Sequence, residues 1–219
     1  MPRTLIFDVN ETLSDPTPLA DTFASVGATS VTPSTWLAAT LRDGFALSLT
    51  TGAEPFPEVA EQVLLGLLSA EPKLSSSIDD AVEQVMAVFT DLPVHDDVVA
   101  GLRNLQTQGH RLVTLSNGSS DYARALLQRA GVDDGVSAFL SVDEVGAWKP
   151  DRRAYEHALT HTGTSAADAV LIAVHPWDLH GARAAGLATV HLDRASTPWP
   201  STFAGPDVRI TSLTELQLP

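Results

Sequence analysis

At 219 residues, 44% of them hydrophobic, the chain is long enough to bury one substantial core and a small accessory unit. A formal charge of −14 with only 13 Lys and Arg residues repels phosphate backbones and anionic lipid. That argues against nucleic-acid and membrane partners, and any small anionic ligand must be held by a few local donors. Cysteine is absent, which removes disulfides, thiolate nucleophiles and cysteine-ligated zinc.

No basic-then-apolar leader opens the sequence and no apolar run reaches membrane-spanning length, so a soluble cytoplasmic protein is expected. The run Thr4-Leu5-Ile6-Phe7 stops at Asp8 and turns through Val9-Asn10-Glu11-Thr12-Leu13. A strand ending this way presents Asp8 at the carboxyl edge of a sheet, where open α/β folds place their chemistry. Alone, the same Asp also reads as a surface residue opening a turn. From about Pro16 to Thr90 the periodicity is helical, with turn-rich breaks at Thr32-Pro33-Ser34 and Thr51-Gly52-Ala53-Glu54-Pro55. Val59, Val63, Leu64, Leu67 and Leu68 fall on one helical face.

Beyond Leu92 strands and helices alternate. Val98, Leu102 and Leu105 stripe a helix, Leu112 to Leu115 form a strand, and Tyr122 to Ala130 form a helix closed by Gly131. Further strands are expected around Ala138 to Val142, Val170 to Val174, Thr189 to Leu192 and Val208 to Ile210, the last reached through an ordered loop at Thr197-Pro198-Trp199-Pro200. The pattern predicts an α/β fold: a Rossmann-like parallel sheet flanked by helices, with a helical cap inserted after the first strand. The core spans 1–14 and 91–219, and the cap 15–90.

Three later segments bring polar groups to strand ends or helix starts: Leu112 to Gly118, Trp148 to Asp151 and Val170 to Asp178. The Ser116 hydroxyl and the Asn117 amide lie where a strand meets a turn and can converge on a carboxylate or phosphoryl oxygen. Bland readings stand beside each candidate. Thr12 and Asp178 serve as helix N-caps, Lys149 as a solvated loop lysine, and Tyr155 as a core tyrosine. His157 and His161 have zinc-compatible helical spacing but no third ligand, and read as a solvated face.

In the order acid, hydroxyl, lysine, acid, these segments resemble the haloacid dehalogenase superfamily of hydrolases, most closely its L-2-haloacid dehalogenase branch. Ser-Asn-Gly-Ser, Ser-Val-Asp-x-Val, Lys-Pro-Asp with a following Tyr, and Trp-Asp-x-x-Gly-Ala-Arg recur there. Here they stand at Ser116 to Ser119, Ser141 to Val145, Lys149 to Asp151 with Tyr155, and Trp177 to Arg183. The resemblance implies that Asp8 is a nucleophile forming an ester, kept ionised by Lys149, with Thr12 holding the loop and the carboxylate. It implies that Ser116 and Asn117 hold the substrate carboxylate, the Asn117 side chain helping to receive halide. Val9, Tyr155 and Trp177 line the site, and Asp178 orients the lysine and the hydrolytic water. It also implies that the cap covers the site and that subunits pair as a homodimer.

Departures from the pattern choose among branches. Asn10 stands where the phosphatases of this superfamily carry a general acid, and Ala173 where they carry a magnesium-binding acid. Halide leaves as a stable anion, so the expectation is metal-free substitution at carbon without a cofactor, with weak magnesium binding left open. The dehalogenase arginine follows a Trp like Trp36, but here Leu37 follows it; Arg42 can substitute from a shifted helix or be a surface arginine. Ala173 and His175 replace a Ser and an Asn; His175 can bond the water or Asp178, act as a base, or pack. Trp36, Leu41, Phe45 and Phe56 are candidates for substrate selection. The expected reaction converts a short (S)-2-haloacid to a 2-hydroxyacid; the alternatives are a phosphatase and a non-catalytic small-acid binder.

Overall fold

Strands buried on both faces read as continuous apolar runs, and β1 (Thr4–Phe7) is such a run, its four residues all buried. In the computed structural model, which describes residues 2–50 and 52–217, β1 lies at the centre of a six-stranded sheet. The other strands are β2 (Arg111–Ser116), β3 (Val136–Ser141), β4 (Ala169–Ala173), β5 (Ala188–Leu192) and β6 (Val208–Ile210). The order is β3-β2-β1-β4-β5-β6 and every pair is parallel. Phe7 pairs with Thr114 on one side and Ile172 on the other. The residues just beyond these pairs therefore emerge together at the carboxyl edge, on both sides of the point where the strand order reverses.

Alternation sends Leu5 and Phe7 to one face of the sheet and Ile6 to the other. On the first face they meet α5 (Val98–Thr107) and α6 (Ser120–Arg129) through Leu102, Leu105 and Leu126. On the second, Ile6 joins Tyr155 and Ala158 of α7 (Arg152–Thr162) and Leu179 and Ala182 of α8 (Pro176–Ala184). Local signals set the helix ends: Ser119 accepts from Tyr122 N, Asp151 accepts from Arg153 N, and Gly163 closes α7 in the left-handed region at φ 62°.

This sheet unit comprises Met1–Ser14 and Val94–Pro219; a second unit comprises Asp15–Pro93. The return crossing falls at Pro93–Val94 instead of after Thr90, because Ser14 and Val94 form an antiparallel bridge and His95 N–H donates to the Leu13 carbonyl at 3.0 Å. The second unit is built from α1 (Thr17–Ser25), α2 (Pro33–Thr50), α3 (Phe56–Ser69) and α4 (Ile78–Thr90). Pro33 opens α2 and does not belong to a break, as befits a residue whose missing N–H is harmless at a helix start. Thr51 of the expected second break lies outside the described residues. Trp36 and Phe56 pack in this unit's core with Phe89, ring centroids 5.3 and 5.8 Å away, and the Trp36 indole donates to the Ala60 carbonyl at 2.8 Å. Among the described residues, no helix is long and apolar enough to cross a membrane.

One carboxylate locks this unit's first long connection. Glu71 accepts from Ser30 N and Oγ, Val31 N and Thr29 Oγ1 at 2.6 to 3.3 Å, and hydrogen bonds from Ser30 hold its pKa at about 2 against an ordinary 4.5. A lowered folded-state pKa means that its stabilisation is complete above the unfolded value and is lost as pH falls from about 4.5 toward about 2. Glu71→Gln should lower the melting temperature near neutrality and flatten its dependence on pH across that window. A variant melting curve with the wild-type acid dependence would refute this.

Candidate active site

The carboxyl edge of β1, β2 and β4 gathers four buried polar side chains around one ammonium. Asp8 follows β1 directly, with its N–H on the Ile172 carbonyl at 3.1 Å. Lys149 is 0% exposed; its Nζ donates to Asp8 Oδ1 at 2.8 Å and to Asp178 Oδ2 at 2.7 Å. The other oxygen of each carboxylate is also occupied: Thr12 donates to Asp8 Oδ2 at 2.6 Å, and the Tyr155 hydroxyl to Asp178 Oδ1 at 2.7 Å. Thr12 Oγ1 in turn accepts from Val174 N–H at 3.1 Å, tying the loop after β1 to the end of β4.

Charges shift as this geometry dictates. Burial pushes the Asp8 carboxyl up, but the Lys149 ammonium and the hydrogen bonds from Lys149 and Thr12 outweigh it, so it titrates below its ordinary value. Burial, with Asp8 nearby, dominates at Asp178, whose pKa is raised. Burial alone would discharge Lys149, but the two carboxylates raise its pKa and keep the ammonium. Burial and the Asp178 charge hold the Tyr155 phenol protonated, as a donor. Carboxylates pushed apart in this way suit different tasks.

Asn117 and Ser116 finish β2. The Asn117 carbonyl oxygen accepts from Lys149 N–H at 2.8 Å and its amide donates to the Lys149 carbonyl at 3.4 Å, so this side chain orients the lysine loop. Its backbone N–H has no partner among the described residues. Ser116 Oγ accepts from Gly118 N–H at 2.9 Å, which leaves its own hydrogen to give. Behind Asp178, α8 approaches closely at Gly181: a Cβ there would stand 2.6 Å from the Tyr155 hydroxyl and from Pro150 Cβ. Only glycine keeps Tyr155 on Asp178.

His175 precedes α8, its ring stacked on Trp177 at 5.1 Å and 16°. Its Nε2 lies 3.4 Å from Glu11 Oε2 and 3.9 Å from Asp8 Oδ2, the latter beyond direct bonding. Glu11 is a site residue that sequence reasoning did not single out. Its φ of 62° is a left-handed conformation uncommon for a non-glycine residue, detectable from structure and not from residue type. Val9 differs from expectation: its side chain is 0% exposed within the hydrophobic core, and its carbonyl closes the loop by accepting from Leu13 and Ser14 N–H. Only its backbone N–H, unpartnered among the described residues, is open to a ligand. Arg42 belongs to the second unit, where its side chain is 72% exposed and its Nε donates to Asp43 at 2.7 Å. Solvent and Asp43 are the surroundings of a surface arginine.

Magnesium asks for several free oxygen ligands in octahedral array. Every carboxylate oxygen of Asp8 and Asp178 already accepts a hydrogen bond, two of them from an ammonium, and Ala173 brings no donor. This donor set does not fit the ion. Among the described residues, no group of three His, Cys, Asp or Glu is placed to hold a metal.

The sequence of residues 2–186 matches the family model of haloacid dehalogenase-like hydrolases. An (S)-2-haloacid dehalogenase of Pseudomonas sp. (strain YL) is 33% identical over 146 residues, 67% of this chain and 60% of that protein. A phosphoserine phosphatase of Thermus thermophilus is 30% identical over 172 residues, 78% of this chain and 68% of that protein. The matches span about three-fifths of the length of the curated dehalogenases. The L-2-haloacid dehalogenase from Xanthobacter autotrophicus has the same fold, with a TM-score of 0.83 at 22% identity, 98% of this chain covering 96% of that one.

Proposed function

Since this chain belongs to the haloacid dehalogenase-like hydrolases, we propose that it hydrolyses a short (S)-2-haloacid, with Asp8 as nucleophile and no metal. The observation that carries the reading is an ionised, buried Asp8, held by Lys149 and Thr12 beside Asn10, which has no proton to give a leaving oxygen. A carboxylate so placed suits displacement of a leaving group that departs as an anion. An Asp8 oxygen attacks C2 and the carbon–halogen bond breaks, the halide keeping the electron pair. The Ser116 hydroxyl and the Asn117 and Val9 N–H groups are the donors we assign to the substrate carboxylate.

Water then attacks the ester carbonyl carbon of Asp8. We assign its proton to His175, whose Nε2 stands within reach of a water shared with Asp8, and Glu11 faces the imidazolium that forms. The tetrahedral adduct collapses with cleavage of the bond from carbon to the substrate oxygen. The departing alkoxide takes the His175 proton, and the regenerated Asp8 carboxyl loses its own to solvent. Asp178 and Tyr155 keep Lys149 aimed at Asp8 throughout. One displacement at C2 predicts inversion.

The test is halide release from each enantiomer of 2-chloropropionate in chelator, with the configuration of the product read out. Release confined to the S enantiomer, with an R product, is expected; retention or strict magnesium dependence would overturn the reading. His175→Ala should keep a first-turnover burst of halide while kcat falls about 100-fold, the scale of a general base. The ester should then accumulate as a mass adduct on the intact protein; full turnover without adduct would remove His175 from the step. The relative that is a phosphatase favours phosphoryl transfer as a second reading, against which Asn10 and Ala173 count. Phosphate-ester hydrolysis that needs added magnesium would establish it.

A further inference from the structure

A guanidinium holds the nucleophile loop from behind. Arg194, just past β5, donates from Nε and Nη2 to the carbonyl of Thr12 at 3.0 and 2.8 Å. Its Nη1 binds Asp97 Oδ1 at 3.0 Å, and Asp97 Oδ2 accepts from Leu213 N–H at 2.7 Å. The guanidinium thus joins its own segment to the Thr12 loop and to Asp97, which carries the link on to Leu213; the Arg194 side chain is 16% exposed against 15% for Asp97.

Thr12 is 0% exposed, so its carbonyl has no water to fall back on. Among the described residues, the two donors to that carbonyl both belong to Arg194. The same residue's hydroxyl gives Asp8 its 2.6 Å hydrogen bond. Immediately before it stands Glu11 at φ 62°, a conformation that persists only where the surroundings over-determine it. Two side chains supply those surroundings: His95 Nε2 lies 3.1 Å from the Glu11 carbonyl, and Arg194 takes the next carbonyl along.

We propose that Arg194, anchored by Asp97, is a positioning residue of the active site: its fork on the Thr12 carbonyl sets the loop that aims the Thr12 hydroxyl, and with it the Asp8 carboxylate. Arginine is suited to this because two of its donors lie in one rigid plane while a third reaches the anchoring carboxylate. The inference rests on Asp8 being the nucleophile, since only then does its aim govern turnover.

Arg194→Met keeps the stem and removes the fork. Halide release from (S)-2-chloropropionate should show kcat about 100-fold lower, the scale of a small misplacement of a reacting group, with KM little changed. Arg194→Lys should recover part of the rate, and guanidinium ion should recover part of it in Arg194→Ala, at melting temperatures that do not track the rate. A substrate-free reading accompanies these: in carbon-13 NMR the Asp8 carboxyl should titrate higher in Arg194→Met, because a displaced Thr12 no longer favours its charged form. Where Arg194→Met fails to fold, Asp97→Asn replaces it, with the same two effects expected at smaller size. A folded variant with wild-type kcat and an unmoved Asp8 titration overturns the clamp. Wild-type protein that releases no halide, with a titration that still moves, overturns the dehalogenase reading and leaves the clamp standing.

Discussion

Asp8→Asn is expected to abolish halide release, lowering kcat by about 10⁴-fold or more, the scale seen when a nucleophile is removed. Asn has nearly the shape of Asp and still offers Thr12 an oxygen to bond, so the loop keeps its hydrogen bond at that position. Lys149 keeps Asp178 at 2.7 Å, so no lone ammonium is left buried, and the variant should fold. What is lost is the anion: a neutral amide oxygen cannot displace halide at a useful rate. A single turnover of excess wild-type enzyme in ¹⁸O-water should put the label into Asp8 and leave the product unlabelled, because the oxygen delivered to C2 comes from the side chain. Label in the first-turnover product would mean that water attacks carbon directly, and Asp8 would then be its base. Halide release surviving in Asp8→Asn would remove Asp8 from the reaction altogether.

The strands were readable because parallel strands buried on both faces leave unbroken apolar runs, as at Thr4–Phe7 and Ala169–Ala173. Boundaries shifted where capping decided them: Ser119 starts α6 ahead of its apolar stripe, and Pro33 starts α2 at a residue that reads as a breaker. Asp8, Lys149 and Asp178 stand far apart in sequence, and only the resemblance connected them; spacing alone gave each a bland reading. The side chains that orient them were less legible. The resemblance gives the Asn117 side chain to halide, whereas its amide is engaged with the Lys149 backbone, which leaves the Asn117 N–H for a ligand. Val9 follows the strand and is expected to line the site, but the turn returns its side chain to the core. Arg194 and His95 reach backbone carbonyls 182 and 84 positions away, and a carbonyl carries no residue identity for a sequence to display. Trp36 and Phe56 read as pocket aromatics and pack against Phe89, because a small helical unit needs its large rings for its own core.

Lys149→Met should be the most damaging single change for stability. The ammonium is 0% exposed between carboxylates that are 5% and 0% exposed, and methionine fills its volume without its charge. Taking one partner out of a buried ion pair costs about 3–5 kcal/mol because the remaining charge is left uncompensated. Here two anions would face each other, and protonation of one relieves the repulsion. Asp178 is the carboxyl whose pKa is already raised, by burial first and by the Asp8 charge second, so it should take the proton. It follows that the destabilisation should shrink as pH is lowered, and that Asp178→Asn in the Lys149→Met background should restore much of the loss near neutrality. Asp8→Asn in the same background should restore less, since the surviving Asp178 has no counter-ion and sits deeper. Chemical denaturation of the three variants across pH measures this directly. Equal rescue by the two substitutions, or a loss that does not depend on pH, would mean that Lys149 acts in the fold through packing and not through its charge. Activity should be lost in all three whichever outcome holds, because Asp8 without the ammonium is neither held nor kept ionised.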